Sequence, residues 1–72
     1  MATETILTEQ EVMKMIKPGG FIAAWFKLLK HCKNYTEAYE SCEDAYQKRF
    51  GYRKYKNYES FRQIKTYHLK KQ

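Results

Sequence analysis

The spacing of apolar and polar positions predicts four short helices joined by turns. Thr8 to Glu11 has the form of a capping box, a hydroxyl followed three residues later by a carboxylate, which predicts a helix over about 8–17. The run Lys17–Gly20 is expected to end it, since proline and glycine punctuate helices. A second helix over about 20–32 carries a continuous apolar stripe and is predicted to be the core helix. The stripe consists of Phe21, Ile22, Trp25, Leu28, Leu29 and Cys32.

A third helix is predicted over about 36–50, with Asn34 or Thr36 as its N-cap and Gly51 as its left-handed stop. Tyrosines, alanines and Cys42 mark its apolar face at spacings of three and four. The opposite, solvated face is expected to carry the acids Glu37, Glu40, Glu43 and Asp44.

A fourth helix is predicted over about 58–70, with Asn57 as its N-cap and Phe61, Ile64 and His68 facing inward. The preceding segment 52–56 has neither a helical nor a strand pattern and is expected to form a loop. The fold class is therefore all-α, a small helix-turn-helix-like bundle of three to four short helices in a single domain over 1–72, with 1–7 frayed.

Length and hydropathy restrict the functions that such a domain supports. The chain has 72 residues, which allow one small core and argue against a large enzyme with a deep cleft. The longest apolar run, Phe21–Phe26, is too short to cross a bilayer, and the mean hydropathy is −0.85. We expect a cytoplasmic protein that does not bind membranes.

The charge is concentrated at one end of the chain. The formal net charge is +6, yet residues 1–44 hold five lysines and seven acids, whereas residues 45–72 hold nine basic residues and one acid, Glu59. A basic pole of this kind attracts a polyanion. The alternative is a solvated basic tail, although aromatic residues are interspersed throughout it.

The fourth helix carries residue types that read DNA. A rotation of 100° per residue places Arg62, Thr66 and Lys70 in one row with Gln63 beside it, and we expect no acid in that row. Arginine pairs with guanine, glutamine with adenine, and threonine contacts bases or a thymine methyl. The remaining basic residues of this region are predicted to contact phosphates. They are Arg53, Lys54, Lys56, Lys65, Lys70 and Lys71.

The tyrosines divide between core and surface. Tyr39 and Tyr46 are predicted to pack in the core, because they lie on the apolar face of the third helix. For Tyr52 and Tyr55 two interpretations stay open. They either contact phosphates and stack on bases among the neighbouring cations, or they pack against the domain.

A different helix-turn-helix assignment would make 36–50 the reading helix. Its acids would then face phosphates, which like-charge repulsion opposes. We therefore place the reading surface on 52–71.

Part of the chain resembles small proteins of phages and mobile elements of gut bacteria. The resemblance covers about residues 34–65, through the runs Tyr35–Glu40, Phe50–Gly51 and Tyr55–Arg62. Those proteins are regarded as helix-turn-helix-like DNA binders. The resemblance implies a DNA-associated role, as a regulator of a phage or mobile element.

The sequence also bears on partners other than DNA and on catalysis. The main alternative is a protein-interaction module, such as a phage-encoded inhibitor, adaptor or virion component, that binds an acidic protein surface. DNA is preferred over RNA, and a homodimer is expected because one short domain reads few base pairs. No catalytic or cofactor motif is present. The spacing of Cys32 and Cys42 does not match a zinc site, so we predict no enzyme activity, cofactor or metal.

Overall fold

The computed structural model describes residues 7–70, and all regular structure in that range is helical. The helices are α1 (Glu9–Lys14), α2 (Pro18–Leu29), α3 (Tyr35–Phe50) and α4 (Tyr58–Lys70). This confirms the predicted small all-α bundle, and the helix bounds differ from the predicted ones by no more than three residues.

The predicted capping signals at the first and third helices are confirmed. The Thr8 hydroxyl accepts a hydrogen bond from the Glu11 amide at 3.1 Å, and the Glu11 carboxylate accepts one from the Thr8 amide at 2.8 Å. At α3 it is Asn34, rather than Thr36, whose side chain accepts from the Glu37 amide, at 2.8 Å. Each cap satisfies amides that the first helical turn leaves without a backbone partner.

The end of α3 and the beginning of α4, which border the loop 51–57, also lie at the predicted residues. Gly51 closes α3 with a φ of 88°, a left-handed conformation that glycine adopts without strain. The Asn57 side chain then accepts a hydrogen bond from the Ser60 amide at 2.9 Å and begins α4. The loop 51–57 therefore has defined ends.

The segment between α1 and α2 differs from the prediction. Pro18 lies at the first position of α2 instead of ending α1, because a proline there loses no helical hydrogen bond. Gly20 also lies inside α2, where a Cβ atom would come within 1.9 Å of the Lys14 carbonyl oxygen. The glycine thus permits α1 and α2 to approach closely.

An aromatic cluster forms the centre of the core. Phe21, Trp25, Tyr39 and Tyr46 are all buried, as predicted. Phe61 is the only fully buried residue of α4. Its ring centroid lies between 5.3 and 6.2 Å from those of five other rings. These rings belong to Phe21, Trp25, Tyr39, Tyr55 and Tyr58.

The predicted frayed start over 1–7 is wrong for its last residue. Leu7 is 2% exposed and belongs to the core. Residues 1–6 lie outside the described part of the chain. Within 7–70, no helix has the length and apolar content needed to cross a membrane.

Candidate nucleic-acid interface

The outward face of α4 carries the predicted base-reading residues. Arg62, Gln63, Thr66 and Lys70 are all exposed, because the helical rotation places them opposite the buried Phe61. The structure thus brings these four side chains together on one face. Lys71 lies outside the described residues.

This face also contains an acid, contrary to the expectation of an acid-free row. Glu59 lies on it, three residues before Arg62 and four before Gln63, and it forms an exposed ion pair with the Arg62 guanidinium. The hydrogen bond from Arg62 lowers the pKa of Glu59, so the carboxylate is ionised at neutral pH. Arg62 must therefore exchange this partner for any ligand that it binds. Exposed ion pairs contribute little to stability, so the exchange is readily made.

The loop 51–57 is held against α3 by a buried carboxylate. Glu43 is 1% exposed, and its oxygens accept hydrogen bonds from the Lys54 amide at 2.8 Å, the Tyr55 amide at 2.9 Å and the Tyr39 hydroxyl at 2.6 Å. The prediction of Glu43 on a solvated acidic face is therefore wrong. The residue lies four positions after Tyr39 and three before Tyr46, on the same side of α3 as those core tyrosines, and the loop covers it.

Arg53 is directed back towards α3. Its guanidinium lies 3.4 Å from the Glu40 carboxylate and donates to the Tyr39 hydroxyl at 3.4 Å and to the Tyr55 carbonyl at 3.5 Å. These hydrogen bonds, chiefly the one with Tyr39, raise the pKa of Arg53. The side chain is still 41% exposed, so it remains at the edge of the surface with several internal partners.

Lys54 folds back against the domain and is only partly exposed. Its ammonium donates to the Ile16 carbonyl oxygen at 2.6 Å and lies 5.4 and 5.6 Å from the ring centroids of Tyr46 and Tyr55. Burial lowers the pKa of this lysine. The ammonium links the loop to the turn that precedes α2, so the predicted phosphate contact at Lys54 would require this hydrogen bond to be exchanged.

Lys56 is the loop cation that remains open to a ligand. It is exposed and has no hydrogen bond or ion pair with another described residue. It directly precedes the N-cap Asn57 and so lies at the beginning of α4, the end from which a reading helix contacts bases. Lys56 and the outward face of α4 together form what we call the α4 surface.

Tyr52 and Tyr55, for which two interpretations were open, have different environments in the structure. Tyr52 is 58% exposed and packs edge-on against the Tyr46 ring, at 5.7 Å between centroids. Tyr55 is half-buried and packs perpendicular to Phe21 at 5.1 Å, and its hydroxyl has no hydrogen-bond partner among the described residues. Tyr55 therefore packs against the domain, whereas the Tyr52 ring is accessible to a ligand.

Lys65 lies off the outward face of α4. Its ammonium is 4.6 Å from the Trp25 ring centroid and 5.6 Å from that of Tyr35, within the range of a cation–π interaction. The sequence did not indicate this contact, because it joins α4 to α2 and α3.

The cysteines have no metal-binding environment. Both are free thiols, and residues 7–70 contain no group of three or more His, Cys, Asp or Glu side chains that would hold an ion. Burial raises the pKa of the Cys42 thiol, which keeps it neutral and unreactive.

The α4 surface offers hydrogen-bond donors and positive charge along one face of the helix, with a lysine at each end. Arg62 and Gln63 provide planar donor groups, Thr66 provides a hydroxyl and a methyl group, and Lys56 and Lys70 provide ammonium groups. This combination is suited to recognition of a polyanion that also presents hydrogen-bonding edges.

Comparisons with known proteins do not assign the chain to a family. No protein-family model, curated protein or solved structure matches it significantly. The resemblance to phage and mobile-element DNA binders accordingly stays a prediction, and the geometry of the α4 surface carries the functional argument.

Proposed function

We propose that this chain binds duplex DNA through the α4 surface, with α4 lying in the major groove. The observation that carries the proposal is the exposure of Arg62, Gln63, Thr66 and Lys70 on one face of a helix that a single buried residue, Phe61, anchors in the core. A helix that reads a groove must leave the face that meets the bases free for the ligand, and the outward face of α4 is exposed.

Each side chain of the surface has a defined role in the proposal. Arg62 leaves Glu59 and donates to a guanine edge, Gln63 pairs with adenine, and Thr66 contacts a base or a thymine methyl. Lys56 and Lys70 contact phosphates on either side and fix the position of the helix. Glu59, released from Arg62, is able to accept a hydrogen bond from a cytosine amino group.

The proposal includes a homodimer that binds two half-sites. One helix of this length contacts only a few base pairs, so two copies separated by about one helical turn of DNA would supply specificity. A regulator of phage or mobile-element genes is the context that the resemblance implies.

Binding is tested by fluorescence anisotropy with a labelled duplex of mixed sequence at increasing salt. We expect saturable binding at low salt that weakens steeply, with a log–log slope of about −0.9 for each phosphate neutralised. Absence of binding to any duplex at low salt would contradict the proposal and favour an acidic protein partner instead.

Matched lysine variants locate the surface. Lys56→Ala should weaken binding to all duplexes and flatten the slope by about 0.9, since it removes one phosphate contact. Lys48→Ala is the control, because it removes the same charge from α3, where the lysine pairs with Asp44 at 3.2 Å. Equal effects of the two variants would show that net charge, rather than the α4 surface, governs binding.

Variants of the outward face test base reading. Arg62→Ala and Gln63→Ala should each reduce the preference among duplex sequences by about 1–3 kcal/mol while leaving weak, non-specific binding in place. Unchanged sequence preference in both variants would remove α4 from the base-reading role.

A further inference from the structure

A second accessible surface lies beside the α4 surface, where α2, α3 and α4 meet. Phe26 and Tyr35 flank the buried Trp25, with ring centroids 5.0 and 5.4 Å from it, and the Lys65 ammonium lies over Trp25 and Tyr35. We call Phe26, Tyr35 and Lys65 the aromatic corner.

The two rings of the aromatic corner are exposed and pack edge-on against the buried Trp25. Phe26 is 44% exposed and Tyr35 is 56% exposed, whereas Trp25 beneath them is 2% exposed. The Trp25 indole N–H donates to the Tyr35 carbonyl oxygen at 3.1 Å, which ties the beginning of α3 to α2. The corner is thus an accessible platform, in which about half of each side chain is open to solvent and the Lys65 ammonium lies over the Tyr35 ring.

The charge around the platform is mainly positive. Lys65 contributes one ammonium, and Lys30, four residues after Phe26 and therefore on the same side of the chain, contributes another exposed one. Arg62 precedes Lys65 by three residues on α4, so the corner adjoins one edge of the α4 surface. A ligand that covers the rings therefore meets cations on two sides.

We propose that the aromatic corner binds single-stranded DNA by stacking unpaired bases on Phe26 and Tyr35, with Lys65 and Arg62 contacting the phosphates. Exposed aromatic rings bordered by cations match the two parts of a single strand, because every base has a π face and every linkage has a charge. Bases inside a duplex cannot reach such a platform, since they are stacked on one another. The inference rests on the proposed function in taking DNA as the ligand, and it shares Arg62 with the α4 surface, whereas the stacking rings Phe26 and Tyr35 lie outside that surface.

The experiment compares a labelled single-stranded oligothymidylate with a labelled mixed-sequence duplex. Tyr35→Leu removes the ring and keeps an apolar side chain, and we expect it to weaken binding of the single strand about tenfold or more, in line with the loss of one stacked base. Tyr35→Phe keeps the ring and should retain binding. Affinity for the duplex should be unchanged in both variants.

Two further variants complete the design. Tyr67→Leu removes a tyrosine of similar exposure, 58%, that does not belong to the aromatic corner. This variant should leave the affinity for the single strand intact. Phe26→Leu provides a second test of the platform and is interpretable even where Tyr35→Leu fails to retain its helical circular-dichroism signal. The fluorescence of Trp25, which contacts both rings, should change when the single strand binds.

The outcomes distinguish this inference from the proposed function. Duplex binding that depends on Arg62 and Gln63, together with no binding of the single strand, would overturn the aromatic corner alone. Single-strand binding that is equally strong in Tyr35→Leu, Phe26→Leu and the parent would overturn it as well. Binding of the single strand with ring dependence but without any duplex binding would support the corner and contradict the duplex proposal.

Discussion

Replacement of Glu43 should destabilise the protein more than replacement of any exposed acid on α3. Glu43→Ala leaves the Lys54 and Tyr55 amides without the carboxylate that accepts from them at 2.8 and 2.9 Å. The Tyr39 hydroxyl keeps an alternative acceptor, the Tyr55 carbonyl oxygen at 3.3 Å. Two backbone donors at the base of the loop therefore lose their partner.

The size of the effect follows from those two donors. A buried donor without a partner costs about 1–3 kcal/mol, and water reaches part of this loop, so we expect a loss of about 2–4 kcal/mol. A domain of 72 residues has a free energy of unfolding of about 4–11 kcal/mol, so the loss is a large fraction of it. Glu43→Gln keeps one oxygen but turns an amide donor towards another donor, and should cost about 1–2 kcal/mol.

Urea denaturation followed by circular dichroism measures these differences. Asp44→Ala is the control on the neighbouring residue, whose exposed ion pair with Lys48 should contribute no more than about 0.5 kcal/mol. The expected order of destabilisation is Glu43→Ala, then Glu43→Gln, then Asp44→Ala. A midpoint for Glu43→Ala that equals that of Asp44→Ala, at an unchanged denaturant slope, would refute the role of the carboxylate in holding the loop.

Three further predictions concern a glycine, a tyrosine and a cysteine. Gly20→Ala should lower the free energy of unfolding by about 1–3 kcal/mol, because the new Cβ overlaps the Lys14 carbonyl. Gly19→Ala is the control and should be neutral or stabilising, since no atom lies within 4 Å of its Cβ position. Equal melting temperatures of the two variants would contradict this prediction. Burial raises the pKa of Tyr46 to about 12, above the unfolded value of 10.0, so the contribution of Tyr46 to stability should be constant below about pH 10 and fall as the pH rises towards 12. Unfolding free energies that stay flat over that range, or that fall equally in Tyr46→Phe, would oppose this assignment. Cys42, which is fully buried, should be alkylated far more slowly than the other cysteine, and mass spectrometry showing equal rates would argue against its burial.

The helices were predictable because their signals are local. Each capping residue bonds to groups within about one helical turn, and each occupies the cap position that its residue type favours. These residues are Thr8, Asn34, Gly51 and Asn57. Pro18 was assigned to the wrong side of a boundary because proline both ends one helix and begins the next. The apolar spacing predicted the buried aromatic residues for the same local reason.

The candidate site was less predictable because it depends on contacts between distant segments. The acid at Glu43 is buried only because the loop 51–57 folds over it, and Lys54 bonds to Ile16, 38 residues earlier in the chain. Neither contact leaves a periodic signal. Glu59 is different, since its spacing of four residues from Gln63 already places it on the outward face of α4.

The attachment of α4 by a single fully buried ring has a consequence for how this protein can diverge. Since Phe61 is the one fully buried side chain of α4, with Tyr58 and Lys65 packed beside it, substitutions at the outward positions alter the recognition chemistry without requiring compensating changes in the interior. Selection can therefore change the ligand preference of α4 one residue at a time, while the remainder of the domain retains its fold.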